Sequence, residues 1–312
     1  MIQSLSLGRS SLKVSSLCLG AMYFGTKIDE VTATCLLDTY VEAGGNFVDT
    51  ANKYACWIPG FHGGESELLL GRWMRQRGNR QSMVIATKVG LPMPGVEAGL
   101  RAEQIQVECE KSLKRLGTEV IDLYYAHADD RRTPLDETLS AMDHLVRSGK
   151  VRHLGASNFA SWRLLQSLVT SRQGGWAEVV GVQMRHSFLR PNPWIPQEFA
   201  AQVPASQEML DLCGDQGLRL LAYSPLLNGA YCRDDRPLPA SYDTPDNHAR
   251  LRALRTAAQL TGATPNQIVL AKLMQSQPEI IPLTATSTVD QLRENLVAAE
   301  IRLSPEILEM LA

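Results

Sequence analysis

Asn46-Phe47-Val48-Asp49-Thr50-Ala51-Asn52-Lys53-Tyr54 opens with a short apolar strand, Asn46 to Val48, which stops at a carboxylate and turns into a polar loop. The stretch before it reads as a helix. Asp29 offers an N-cap, and Val31, Leu36, Leu37, Tyr40 and Val41 recur at helical spacing until Gly44-Gly45 ends the run. The stretch after it, Glu65 to Gln76, reads as another helix, with Leu68, Leu69, Leu70 and Trp73 on it and Gly78 behind it. A short apolar strand between two amphipathic helices belongs in a parallel sheet covered by helices.

The same unit recurs in both directions. Upstream, Ser16 to Gly20 is a buried strand, preceded by a hairpin of Ile2–Leu7 and Leu12–Val14 around Gly8-Arg9. Downstream, strands at Met83–Lys88, Val120–His127, Val151–Ser157, Val179–Met184 and Leu218–Tyr223 alternate with helices. Those helices span Leu100–Leu116, Pro134–Lys150, about Trp162–Thr170 and about Ser206–Gly214. Two further helical stretches, Asn247–Gly262 and Pro265–Gln277, precede an eighth strand at Ile280–Leu283 and a last barrel helix at Val289–Ala299. Eight strand–helix units predict an α/β fold, a closed (β/α)8 TIM barrel with an N-terminal β-hairpin and extra helices near the C-terminus. Residues 1–312 are read as one domain. An open doubly wound sheet would want a glycine-rich turn after its first strand, and Gly20-Ala21-Met22-Tyr23-Phe24-Gly25 does not supply one.

Composition narrows the function. A net charge of −2 gives no electrostatic reason to expect nucleic acid or an anionic membrane as partner. No run approaches the roughly 18 apolar residues of a membrane span. The first residues lack the basic region and apolar core of a signal peptide, so a cytoplasmic address is expected. Cys18, Cys35, Cys56, Cys109, Cys213 and Cys232 lie far apart, with no Cys-x-x-Cys pair. No metal is expected, and most of the thiols read as reduced, buried small apolar residues; Cys56, two residues after Tyr54, is the exception to watch.

A barrel of this type carries its chemistry at the C-terminal ends of its strands. Asp49, Lys88 and His127 stand at three consecutive ends, with Tyr54 in the loop behind the first. Singly, each has a structural reading: a loop cap, an ion pair, a satisfied histidine. Together they suit proton delivery to a carbonyl. A free phenol, with a pKa of about 10, is a poor acid at neutral pH. A neighbouring ammonium favours the phenolate, so Lys88 is expected to lower Tyr54, with Asp49 keeping Lys88 charged and aimed. His127 would orient the substrate oxygen or relay a proton. The hydride must come from a cofactor.

These four residues, in this order and on these strands, resemble the catalytic tetrad of the aldo-keto reductases. Asn46 to Tyr54 is similar to the family's first signature and Ser148 to Phe159 to its second. Tyr223-Ser224-Pro225-Leu226 and Gln291 to Asn295 are similar to two later segments that contact cofactor. The likeness runs from the hairpin to the last helix. It implies Tyr54 as general acid/base, acting on an aldehyde or ketone, or on the corresponding alcohol or sugar. It places Ser157, Asn158 and Gln183 at the nicotinamide carboxamide, Tyr223 against the ring and Ser224, Pro225 and Leu226 around the pyrophosphate, with Met22 also on the cofactor side. Ala285, Ser287 and Thr288 would meet the adenosine ribose, and Gln291 and Asn295 the adenine.

Two departures matter. The run Ala285-Thr286-Ser287-Thr288 has no Lys or Arg where many relatives place a base for a 2′-phosphate. NADP(H) is expected from the resemblance, with NAD(H) open; Arg293, one helical turn on, is a possible helper. After Gln183, Arg185 and His186 replace the usual acid and tyrosine. Tyr23, Trp57 and Trp194 are the candidate walls for a small-molecule carbonyl or sugar substrate, together with His127. The alternatives are a non-catalytic nicotinamide-binding regulatory barrel and a Schiff-base lyase or aldolase using Lys88.

Overall fold

The computed structural model describes residues 2–197, 201–233 and 235–312. Part of the long connection read between Pro191 and Val203 therefore lies outside the described residues. The hairpin, β1 (Ser4–Ser6) and β2 (Lys13–Ser15), pairs antiparallel, Leu5 opposite Val14. Eight parallel strands follow: β3 (Cys18–Gly20), β4 (Phe47–Asp49), β5 (Val84–Val89), β6 (Ile121–Ala126), β7 (Val151–Ser157), β8 (Val179–Arg185), β9 (Arg219–Tyr223) and β10 (Ile280–Thr284). They pair in sequence order, and β10 closes on β3 through Leu283 and Thr284 opposite Cys18 and Leu19. The helices between them are α1 (Glu30–Glu42), α2 (Glu65–Arg77), α3 (Ala102–Leu116), α4 (Leu135–Arg147), α5 (Ser161–Gly174) and α6 (Gln207–Gln216). Then come α7 (Pro245–Thr261), α8 (Pro265–Met274), α9 (Val289–Val297) and α10 (Pro305–Met310). This is the expected (β/α)8 barrel, with its hairpin and added helices; α10 is a helix the sequence reading did not include.

Side-chain alternation explains why the strands are apolar throughout. All six positions of β5 and all six of β6 are buried. Cys18, Phe47, Val84, Ala86, Leu123, Tyr125, Leu221 and Ile281 form one core inside the barrel, closed below by Leu7 and Val14 of the hairpin segment. Their neighbours along the strands, among them Leu19, Val48, Ile85, Tyr124 and Leu220, belong to the larger core shared with the helices. One position depends on glycine. A Cβ at Gly155 would fall 2.4 Å from the Tyr125 ring, so β7 carries no side chain there and the phenol fills the barrel in its place.

Local signals set the helix limits. Asp29 Oδ1 accepts from the Thr32 amide at 2.8 Å, the expected cap of α1. Thr264 and Gln267 form a reciprocal capping box on α8. One periodicity assignment fails: Val31 is 76% exposed, because the core-facing stripe of α1 passes through Leu36, Leu37 and Tyr40; on α2 the stripe passes through Leu69, Leu70 and Trp73 and leaves Leu68 43% exposed. All six cysteines are free, but only Cys18, Cys109 and Cys213 are buried, so the expectation of mostly buried thiols is corrected. No helix among the described residues is long and apolar enough to cross a membrane.

Candidate active site at the barrel mouth

Strand register brings the singled-out residues together. Asp49 closes β4 opposite Ala86, Lys88 lies on β5 opposite Tyr125, and His127 follows β6 with its amide on the Val89 carbonyl at 2.8 Å. Ser157 ends β7 opposite Gln183 of β8, and Tyr223 ends β9 opposite Arg185. Tyr54 reaches back from the turn after β4.

Lys88 is fully buried, and its Nζ donates to Asp49 Oδ1 at 2.5 Å, to the Thr50 carbonyl at 2.7 Å and to Tyr54 Oη at 2.8 Å. Those three bonds match the three protons of an ammonium, and they leave no lone pair to attack a carbonyl. A Schiff-base role therefore finds no support in the geometry. Burial pulls the Lys88 pKa below its usual value and Asp49 resists that pull. The second Asp49 oxygen accepts from Gln183 Nε2 at 2.8 Å, so the buried carboxylate is held from two strands.

Tyr54 donates to Asp49 Oδ1 at 3.2 Å while accepting from Lys88. The expected lowering of its pKa does not result. Burial, then the Asp49 carboxylate and the hydrogen bond to it, drive the phenol well above the ordinary tyrosine value despite the adjacent ammonium. Tyr54 is thus a proton-bearing phenol at neutral pH. The His127 ring stands edge-on to it, centroids 5.9 Å apart. Burial, then Lys88, then Lys53 hold His127 well below the usual histidine range, and its Nδ1 is buried with no hydrogen-bond partner among the described residues. A neutral imidazole beside a protonated phenol can bind and polarise a carbonyl oxygen.

Two of the residues expected at the nicotinamide carboxamide, Ser157 and Asn158, form a network with Tyr223, while the Gln183 amide is spent on Asp49. Asn158 Nδ2 donates to the His127 carbonyl and to Ser157 Oγ, each at 3.0 Å. Its Oδ1 accepts from Tyr223 Oη at 2.8 Å and from the Val203 amide at 3.2 Å. Asn158 holds φ 57, and Ser224 φ 53, the left-handed region asparagine tolerates and serine enters less readily. Pro225 is buried and Met22 and Leu226 half-buried. A cavity of about 410 Å³, lined by Gly90, Ala128, Arg131, Asn158 and Val203 among others, opens beyond the ends of β5, β6 and β7.

At the far rim the side chains turn on themselves. Thr288 caps α9 through the Gln291 amide, and Gln291 Oε1 accepts from Ser287 N at 3.0 Å and Oγ at 3.1 Å. Ala285 is exposed, Asn295 is buried, and Arg293 lies in solvent 3.9 Å from Asp290. Thr284, which the sequence reading passed over, and Thr286 each bury an Oγ1 with no partner among the described residues.

On the substrate side, Tyr23 and Trp57 meet edge to face with centroids 6.4 Å apart. Trp194 is 90% exposed and joins neither of them, so the structure does not gather it into this wall. Arg185 is buried, its guanidinium bonded to Gln202 Oε1 at 2.7 Å and Tyr242 Oη at 3.3 Å, and so ties down the loop after β8.

Known proteins bear on this site. The model of the aldo/keto reductase family matches residues 16–312. The chain is 35% identical over 98% of its length to the oxidoreductase YrpG of Bacillus subtilis, covering 93% of that protein. It is 32% identical to norsolorinic acid reductase B of Aspergillus parasiticus, over 95% of this chain and 80% of the relative. It is 27% identical to aryl-alcohol dehydrogenase GME11368 of Pestalotiopsis microspora, over 95% of this chain and 78% of the relative.

Proposed function

The chain belongs to the aldo/keto reductase family, and on that premise we propose that it reduces an aldehyde or ketone, or oxidises the matching alcohol, with Tyr54 as general acid and base. The observation that carries this reading is the Lys88 ammonium bonded at once to Asp49 and to the Tyr54 hydroxyl. A bound nicotinamide dinucleotide would supply the hydride, which no side chain can provide.

The chain's own residues do the rest. Tyr54 Oη gives its proton to the carbonyl oxygen as negative charge builds there. His127, neutral and with Nδ1 unpartnered among the described residues, orients that oxygen. Lys88 stabilises the phenolate left behind, and Asp49, held by Gln183, keeps the ammonium aimed. In oxidation the same phenolate takes the proton back.

The residues suit a dinucleotide. Thr284 and Thr286, at and just after the end of β10, bury hydroxyls with no partner among the described residues, which an oxygen-rich ligand would satisfy. Ser157, Asn158, Gln183 and Tyr223 would hold the nicotinamide, Ser224 to Leu226 the pyrophosphate, and Ser287, Gln291 and Asn295 the adenosine. Family resemblance favours NADP(H). The uncharged run 285–288 keeps NAD(H) in competition. Relatives named for an aryl alcohol and for norsolorinic acid support a small organic carbonyl compound as substrate. The test is a fluorescence titration with NADPH and with NADH: binding of one or both is expected, and binding of neither overturns the reading.

A further inference from the structure

Trp57 is 49% exposed on the loop after β4, a large aromatic at the mouth that the barrel core does not use. Its partner Tyr23 comes from the turn after β3, and the two rings meet at 77°. Each ring carries a lysine: Lys53 Nζ lies 5.9 Å from the Trp57 centroid and Lys27 Nζ 4.8 Å from that of Tyr23. Among the described residues neither ammonium has an ion pair or a side-chain hydrogen bond. The nearby carboxylates are engaged elsewhere, Glu65 by the His62 and Gly63 amides and Asp29 by the cap of α1. Lys53 is also the residue before Tyr54, and its charge is felt at His127. An aromatic surface and a cation without an ion pair among the described residues therefore stand on the two loops, after β3 and β4, next to Tyr54.

We propose that this wall selects a planar aromatic carbonyl compound bearing an acidic group, with Trp57 and Tyr23 covering the ring and Lys53 pairing with the carboxylate or phenolate. The proposal rests on the carbonyl-reductase reading and names the substrate class of that same site. Ring stacking fixes the plane of the substrate. A cation over an exposed aromatic face is held weakly, so it can swing to an anion entering beside it. The pair forms in a half-buried mouth, where attraction exceeds that in bulk water. If the lysines merely laid their methylene stems along the rings, charge on the ligand would make no difference.

The experiment is isothermal titration of the protein, loaded with NADP+ or NAD+ if either binds and otherwise alone. The probes are 4-carboxybenzaldehyde and 4-methylbenzaldehyde. The wild type is expected to prefer the carboxylate several-fold at low salt, with the preference shrinking at about 0.5 M salt. Lys53→Met should lower that preference by about threefold to tenfold, and Lys53→Glu should reverse it. Equal affinities in the wild type, or an unchanged ratio in Lys53→Met, would overturn the proposal. So would failure of both probes to bind. A carboxylate preference that depends on Lys53, in a protein that turns over neither aldehyde with either reduced cofactor, would place the failure in the reductase reading and leave only the anion pairing at Lys53.

Discussion

At the floor of the mouth, Lys88 has all three of its protons bonded and Asp49 is gripped by residues of β5 and β8, in a position where neither side chain reaches water. At the rim beyond β10, the Ser287 amide and hydroxyl are satisfied by Gln291 from one turn away, in solvent, and the Thr284 and Thr286 hydroxyls have no partner among the described residues. The first region is finished before any ligand arrives, since a buried charge without its partner costs more than the fold can readily spare. The second is closed by local bonds that a ligand exchanges for its own at little cost, because water competes for them already. Chemistry is preorganised here and recognition is left adjustable.

The sharpest way to break that contrast is Tyr54→Phe. It should lower carbonyl reduction by about a hundredfold to ten-thousandfold, with cofactor affinity nearly unchanged in the fluorescence titration. A variant that kept its rate would remove Tyr54 as the acid. Lys88→Met leaves Asp49 buried without its counter-charge, and urea unfolding should show a loss of about 3–5 kcal/mol. A loss under about 1 kcal/mol would mean that the floor is not prebuilt.

The rim should respond in affinity and hardly in stability. Ser287→Arg supplies the cation absent from 285–288 and is expected to tighten NADPH by about tenfold while leaving NADH within about twofold. Equal tightening of both cofactors would show that the 2′-phosphate does not lie there.

The smallest effect concerns pH. Burial, with Arg190 nearby, depresses His186 to about 4. Between the unfolded value of about 6.5 and that point the unfolded chain binds the extra proton, so stability is complete above the window and falls as pH drops through it. His186→Asn should flatten this part of the Tm profile; an unaltered profile would discount the residue. Tyr54, held above the usual tyrosine value, should by contrast leave the reduction rate flat from about pH 6 to about pH 9.

Legibility from the sequence follows the same division. Asp49, Lys88 and His127 were readable because a strand end in a closed parallel barrel has one destination. Periodicity placed every strand. It misassigned Val31, where an apolar residue stands beside a helix stripe without entering it. Trp194 had composition in its favour and no positional constraint, since it rides on a connection whose path depends on Asn192 meeting Ser241. Lys53 was passed over although it adjoins Tyr54, because its ring partner is known only once the loop is folded.

The sequence by itself determined the barrel, the order of its strands and the four polar groups at their ends, because side-chain alternation and helix spacing are local consequences of covalent geometry. Only the tertiary structure decided the state of those groups. Whether Lys88 lowers Tyr54 depends on the distances from the phenol to both members of the ion pair, 2.8 and 3.2 Å, and on how much water the barrel excludes. Neither quantity is a property of any segment of the chain. Electrostatic influence falls with distance through a medium that the whole fold creates.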